Sequence, residues 1–206
     1  MNFFYEDKVK YSRIWYRSSE LLEMKLFIIG LVYFFGVHIV PITPAKPLLV
    51  NRLGEALYSG LFSLLALFGL IVIVYGFQTA DTAALWSPFP YSRELTFILM
   101  PIAVIFLMPG SGRTNFFQKF KHPMFVGIFI WAFAHLLANG DLRSTLLFCS
   151  FALYCLVDMM FAQNITKTTN VSYPIRNDII FIGLGVIAYI FIVYFHQYIA
   201  GVRILF

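Results

Sequence analysis

Six long apolar segments separated by short polar stretches dominate the sequence. They cover about residues 24–41, 56–77, 94–109, 119–138, 142–163 and 177–201. Because a membrane-crossing α-helix needs roughly 20 apolar residues, segments of this length are typical of transmembrane helices. Their apolar runs lack the alternation of β-strands, which excludes a porin-type barrel. The pattern therefore predicts an all-α fold, a polytopic membrane helical bundle of about six transmembrane helices.

Proline, glycine and asparagine mark the ends of several predicted helices. Pro41 and the two prolines that follow it end the first helix, because proline lacks the backbone N–H that a helix interior requires. Between the fourth and fifth segments, Asn139-Gly140 predicts a helix stop and Asp141 predicts the N-cap of the next helix. The sequence therefore predicts a tight hairpin of helices four and five.

The composition agrees with a membrane protein. Hydrophobic residues make up 60% of the 206 residues and charged residues only 12%, which is about half the charged fraction of a soluble protein. Residues 1–23 mix aromatic and basic side chains, and they predict either an interfacial helix on anionic lipid headgroups or a solvated tail. We expect residues 24–206 to form a single transmembrane domain in contact with the lipid bilayer.

The net charge of +5 predicts membrane orientation rather than nucleic-acid binding, because basic residues in such proteins flank the transmembrane helices. With six crossings, eight of the 15 lysines and arginines fall on the side of the N-terminus and seven on the other side. Cytoplasmic loops carry the excess of positive charge. The pattern therefore predicts that both termini are cytoplasmic.

Three of the four histidines, His38, His122 and His135, lie in predicted membrane segments or at their edges. An ionisable side chain there is a functional-site candidate, and imidazole readily ligates iron or carries a proton near neutral pH. His122 and His135 are 13 residues apart on one predicted helix. That spacing gives about 20 Å of rise and about 220° of rotation, so the two cannot hold one metal ion. We interpret His196, late in the sixth helix, as an interfacial structural histidine.

His135 has the local setting of a haem ligand. Ala132 and Ala138 lie three residues to either side, and such small residues leave room for a flat macrocycle against the helix. Trp131 and Phe133 add an aromatic wall. Haem iron is commonly held by an axial histidine. The alternative interpretation is a buried histidine that forms a hydrogen bond with a neighbouring helix.

Three runs of residues resemble the NnrU family. They are Phe35-Gly-Val-His38-Ile-Val-Pro41, the segment Asn51-Arg-Leu-Gly, and Lys121-His122-Pro-Met-Phe-Val-Gly127 continued by Trp131-Ala-Phe-Ala-His135-Leu-Leu-Ala-Asn-Gly-Asp141. The resemblance covers about residues 26–160, and His196 lies outside it. It implies a multi-pass protein of the bacterial inner (cell) membrane that is linked to nitrite and nitric oxide metabolism in denitrification. A membrane reductase complex is the partner that this link implies.

The NnrU family is related to zeta-carotene isomerase, a membrane enzyme that uses haem b. This relation implies haem b as cofactor, His38 and His135 as axial ligands, and a redox-gated isomerisation as one form of the chemistry. The isomerase has a cysteine, proposed as an alternative iron ligand, at the position of Ala132. Simple alternating helices place His38 and His135 about 13 Å apart in depth, whereas His38 and His122 fall on one membrane side. A His38–His122 pair is therefore the geometric alternative.

The run from His122 to Gly127 also resembles isoprenylcysteine methyltransferases, in which this motif helps to bind S-adenosylmethionine at the membrane surface. Here Lys121 and Phe125 replace the family's arginine and tyrosine, and Asp158 is the nearest acidic candidate. A membrane methyltransferase is thus an alternative function. A non-enzymatic accessory protein of a reductase is a third.

Overall fold

The computed structural model describes residues 22–80, 83–108, 114–120, 122–161 and 171–204. Within these ranges the fold is all-α, as the apolar pattern predicted. The seven α-helices of the described residues are α1 (Leu22–Ile42, whose last turn is a 3-10 helix), α2 (Ala45–Leu53), α3 (Glu55–Thr79), α4 (Ser92–Leu107), α5 (Pro123–Ala138), α6 (Leu142–Phe161) and α7 (Ile175–Ala200). Between α4 and α5, the described residues Phe117–Lys119 form a 3-10 turn. The predicted interfacial segment 1–23 lies almost wholly outside the described residues.

Four helices of the described chain are long and apolar enough to cross a membrane. They are α1, α3, α6 and α7. Helices α4 and α5 have 16 residues each, which is about 24 Å of rise against a hydrocarbon core of about 30 Å. The structure therefore supports a membrane protein with four candidate spans, while a crossing by α4 and α5 stays a prediction.

Helix α2 was not predicted from the sequence. Its residues, Ala45–Leu53, were interpreted as a connection between two membrane segments. The prolines that end α1 also begin α2, since Pro44 is its N-cap residue and Pro47 lies in its first turn. A first-turn residue has no intrahelical partner for its N–H, so proline costs little there. Gly54, with a φ of 80°, then separates α2 from α3.

The chain forms two compact units, Met1–Ala83 and Ala84–Phe206. In the first unit, α1 and α3 pack closely at glycines. A Cβ added to Gly76 would lie 2.7 Å from the Cα of Phe27, and one added to Gly69 would lie 3.2 Å from the Cα of Phe34. Phe27 is fully buried. Later residues of α3 thus meet earlier residues of α1, so the two helices are antiparallel.

In the second unit, α4 packs against both α5 and α7, and α5 packs against α6. Near the start of α4, the hydroxyl of Thr96 donates a hydrogen bond of 2.7 Å to the carbonyl of Ala134 near the end of α5. At the opposite end of both helices, a Cβ on Gly127 would lie 2.9 Å from the carbonyl oxygen of Ala103. Helices α4 and α5 are therefore antiparallel.

The three residues between α5 and α6 are held by the segment that precedes α4. The backbone N–H groups of Leu85 and Trp86 both donate to the carbonyl of Gly140, at 2.7 and 3.0 Å. The carboxylate of Asp141 accepts a 3.0 Å hydrogen bond from the N–H of Ser144. The predicted N-cap role of Asp141 is thereby confirmed.

A carboxylate near the start of α7 clamps the connector between α4 and α5. Asp178 accepts hydrogen bonds from the backbone N–H of Phe116 at 3.0 Å and from the side-chain amide of Asn115 at 2.9 Å. The same amide donates to the carbonyl of Tyr173, whose N–H in turn donates to the amide oxygen of Asn115. These bonds fix the connector against the N-terminal end of α7.

Candidate histidine centre

The four histidines are divided between the two units. His38 lies near the end of α1 in the first unit. In the second unit, His122 is the N-cap residue of α5, His135 lies in the last turn of the same helix, and His196 lies near the end of α7. The structure thus places His122 and His135 at opposite ends of one helix. The pairing of His38 with either of them joins the two units and stays a prediction.

The imidazole of His38 is held by its own helix. Its Nδ1 lies 2.8 Å from the carbonyl oxygen of Phe34, one turn earlier. Because a carbonyl only accepts hydrogen bonds, Nδ1 carries the proton and Nε2 carries the lone pair. The rings of Phe34 and Phe62 flank the imidazole, with centroids at 4.0 and 5.3 Å. His38 therefore presents the nitrogen that a metal ion would require.

His135 repeats this arrangement in the second unit. Its Nδ1 lies 2.8 Å from the carbonyl oxygen of Trp131, again one turn earlier, so Nε2 carries the lone pair. The ring of Phe148 from α6 stacks on the imidazole at 4.6 Å with an interplanar angle of 24°. The ring of Trp131 lies at 5.3 Å. Two aromatic side chains therefore fix the plane of the imidazole.

The space predicted beside His135 is not provided by Ala132. That residue is fully buried, so its small side chain serves packing within the protein rather than an open face. The predicted aromatic wall exists, but it consists of Trp131 and Phe148 rather than Trp131 and Phe133, which is 47% exposed. Any ligand of His135 would approach from another side of the ring.

His196 is a neighbour of His135 that the sequence analysis missed. The centroids of the two imidazoles lie 6.4 Å apart and their planes differ by 13°. The Nδ1 of His196 lies 2.9 Å from the carbonyl oxygen of Val202, beyond the end of α7. The two histidines are 61 residues apart in sequence. No local spacing could reveal the pair, because it depends on how α5 and α7 pack.

At the other end of α5, His122 belongs to a separate buried polar cluster. Its Nε2 is buried and has no hydrogen-bond partner among the described residues. The imidazole interacts electrostatically with the carboxylate of Asp158, which is 6% exposed. The hydroxyl of Tyr154 donates to that carboxylate at 3.4 Å. Asp158 thus lies inside the protein, where it is hydrogen-bonded to Tyr154 and interacts electrostatically with His122. Lys121 falls outside the described residues.

A comparison with family models identifies the relationship that these residues suggested. The model of the NnrU protein matches residues 26–204, which is most of the chain. The chain belongs to the NnrU family. Comparisons with curated proteins and with solved structures each return no match.

The NnrU match extends beyond the range that the sequence resemblance covered. It spans both compact units and continues through α7, so it includes His196 as well as the other three histidines. Within the described residues of this NnrU chain, no group of three or more histidine, cysteine or acidic side chains could hold a metal ion.

Proposed function

We propose that the chain is an integral membrane protein that binds haem b with His135 as one protein ligand; for the second ligand, the family resemblance implies His38. It serves nitrite and nitric oxide metabolism, or a redox-gated isomerisation, at the bacterial cell membrane. A membrane reductase complex is the partner implied by the same resemblance. The ligand role of His135 carries this proposal, and the structure offers one observation that supports it.

The supporting observation is the hydrogen bond at Nδ1 of His38 and His135. Metal-ligating histidines almost always donate their second ring N–H to a carboxylate, a backbone carbonyl or water, which fixes the tautomer and raises the basicity of the ligating nitrogen. Both histidines donate to the carbonyl one turn earlier, each at 2.8 Å. Their lone pairs are therefore assigned to Nε2, in rings that aromatic neighbours hold in place. These residues fit a haem iron.

Haem bound at His135 would supply one-electron redox chemistry inside the membrane. The protein's own contribution begins with the hydrogen bond from His135 to the Trp131 carbonyl, which fixes the tautomer and the orientation of the imidazole. The rings of Trp131 and Phe148 cover the imidazole and keep water from its faces. Together these side chains hold a strong nitrogen donor in an apolar site.

We further propose that α4 and α5 cross the membrane together with the four longer helices, as six passes with a hairpin of α5 and α6. The three-residue connection between α5 and α6 and the antiparallel packing of α4 on α5 support this topology. With six passes, the excess of basic residues places both termini in the cytoplasm.

An absorption spectrum of the purified protein tests the haem proposal. After expression with added haem precursor, we expect the wild-type protein to show a Soret band, and His135→Ala to lose it or shift it strongly. His122→Ala is the matched control, because it removes a histidine from the other end of the same helix and should leave the band unchanged. Wild-type protein without a Soret band would contradict the proposal.

The methyltransferase alternative rests on the His122 cluster. In its favour, Nε2 of His122 is buried without a described hydrogen-bond partner and lies beside Asp158. Against it, Gly127 packs on the carbonyl of Ala103, so that face of the motif is occupied by α4. Calorimetry with S-adenosylmethionine separates the methyltransferase alternative from the haem proposal, because only a methyltransferase should bind this molecule.

The accessory-protein alternative needs no chemistry at the histidines. It predicts that substituting His38, His122 and His135 together leaves the cellular phenotype intact, provided that the protein still accumulates in the membrane. Loss of the phenotype with normal accumulation would exclude it.

A further inference from the structure

We propose that His196, and not His38, is the second protein ligand of the metal that His135 binds. The two ligands would then come from α5 and α7 of the same compact unit. The identity of the metal as haem iron rests on the proposed function, whereas the pairing of the two nitrogens rests on the geometry of the second unit alone.

The separation of the two rings is the first argument. Each metal–nitrogen bond is about 2.0–2.1 Å, and each nitrogen lies about 1.1 Å from the centre of its ring, so two opposed imidazole ligands have centroids about 6.3 Å apart. The centroids of His135 and His196 are 6.4 Å apart. Direct stacking of two rings would bring them closer, as in the pair of His135 with Phe148 at 4.6 Å. The separation of the two rings therefore leaves room for one metal ion between them.

The depth of the two histidines is the second argument. Axial ligands of one iron lie at nearly the same depth in the membrane. His135 is three residues before Ala138, the last residue of α5, and His196 is four residues before Ala200, the last residue of α7. At 1.5 Å per residue, both lie within about 6 Å of the end of their helix. Simple alternating helices offset His38 from His135 by about 13 Å; this pair has no such offset.

The hydrogen bonds of the two rings are the third argument. Nδ1 of His196 must donate to the Val202 carbonyl, as Nδ1 of His135 donates to the Trp131 carbonyl, so the lone pair of each neutral ring lies on Nε2. Among the described residues, neither Nε2 forms a hydrogen bond. Two imidazoles whose Nδ1 atoms are both engaged by backbone carbonyls leave their Nε2 nitrogens as the donor set that two-histidine coordination requires.

The surroundings also suit haem b, which carries two carboxylate groups. Three arginines lie at this end of the second unit: Arg93 at the start of α4, Arg143 at the start of α6 and Arg203 just after α7. The guanidinium of Arg93 donates a 3.0 Å hydrogen bond to the carbonyl of Ile204. The guanidinium of Arg203 donates a 3.0 Å hydrogen bond to the side-chain oxygen of Gln197. Carboxylates pair readily with arginine. Basic side chains are therefore present at the same end of the second unit as the histidine pair, where Arg143 also lies 3.8 Å from the carboxylate of Asp141.

Spectroscopy of histidine variants tests the pairing. In the wild-type protein, two imidazole ligands should give a six-coordinate, low-spin absorption and electron paramagnetic resonance spectrum. We expect His196→Ala to convert the iron to a high-spin form and added imidazole to restore the low-spin signal. His38→Ala separates the two pairings: if His196 is the ligand, this variant should keep the low-spin spectrum, and if His38 is the ligand, it should lose it.

The outcomes distinguish this inference from the proposed function. If His38→Ala gives the high-spin form while His196→Ala keeps the low-spin one, the pairing is wrong and the haem proposal stands. If the wild-type protein holds no haem but contains a metal, by mass spectrometry, that is lost in His135→Ala and His196→Ala alike, the haem proposal fails and the pairing stands. If the wild-type protein holds neither, both fail.

A second variant guards against misfolding. His196→Met replaces the imidazole by a thioether that also ligates haem iron, so we expect retained haem with a shifted low-spin spectrum. Size-exclusion chromatography in detergent shows whether each variant is folded. A folded His196→Met protein whose spectrum equals that of the wild type would overturn the pairing, because the ligand atom has changed.

Discussion

At the scale of the residue, the carboxylate of Asp178 shows how one buried charge can organise a polar connector next to a membrane helix. It is 6% exposed and accepts hydrogen bonds from the backbone N–H and side-chain amide of Asn115 and from the backbone N–H of Phe116. Buried polar groups of this kind are costly when one partner is removed. The connector therefore depends on both carboxylate oxygens.

We expect Asp178→Asn to destabilise the second unit by about 1–3 kcal/mol, because the new NH₂ group would face one of these N–H donors. Thermal unfolding in detergent measures the change. Glu94→Gln is the matched control, because Glu94 is an exposed acidic residue in the first turn of α4, where its charge is stabilised only by the helix dipole. Equal unfolding temperatures for the two variants would contradict the clamp.

The histidines also show what can be predicted at this scale. His135 was identified from its own helix, because the glycine, alanine and tryptophan around it are local features. The hydrogen bond to Trp131 is local too, since it joins residues one turn apart. The proximity of His196 to His135 was not predicted, because it joins residues 61 positions apart in the sequence. Only the packing of α7 against the rest of the unit brings the two rings together.

At the scale of the element, the six predicted segments correspond to helices in the described chain, with ends that differ by a few residues. Apolar length and the positions of proline and glycine determine such ends, so they are readable from sequence. Helix α2 was missed because three prolines were interpreted only as helix breakers. Prolines at the N-cap and in the first turn are compatible with a helix, and Pro44 and Pro47 occupy these two positions in α2.

Close contact between α1 and α3 requires glycine at position 76. A Cβ there would meet the backbone of Phe27 at 2.7 Å, so we expect Gly76→Ala to push the helices apart and destabilise the first unit by about 1–3 kcal/mol. The measurement is the midpoint of thermal or denaturant unfolding in detergent.

Gly60 provides the control for this substitution. It lies in the same helix, and a Cβ there would have nothing within 4 Å. Alanine has the higher helix propensity by about 1 kcal/mol, so Gly60→Ala should leave stability unchanged or raise it slightly. If Gly76→Ala behaves in the same way, the proposed contact with Phe27 does not limit the approach of the helices.

At the scale of the whole molecule, the described chain consists of two compact units joined near residue 83, and the NnrU match runs through both. The family match therefore includes both units. The single transmembrane domain over residues 24–206 stays a prediction. The proposed histidine pair lies wholly within the second unit.

Cysteine labelling tests the six-pass topology. In a background of Cys149→Ser and Cys155→Ala, we expect Lys119→Cys to react with a membrane-impermeant maleimide on intact cells, because the connector between α4 and α5 would face outward. Ser87→Cys, in the loop before α4, should stay unlabelled until the cells are opened. Labelling of both or of neither would show that α4 and α5 do not cross.

The hydrogen bond from His196 to the Val202 carbonyl makes the backbone beyond α7 a tether for the ring. The same stretch is held by Arg93 through the Ile204 carbonyl, so a cut or insertion after Ala200 would free the imidazole to rotate even though every histidine is intact. A protein altered only there would then lose its preorganised nitrogen and bind metal more weakly. Residues 202–204 thus limit the rotation of the His196 ring, although none of them is a proposed metal ligand.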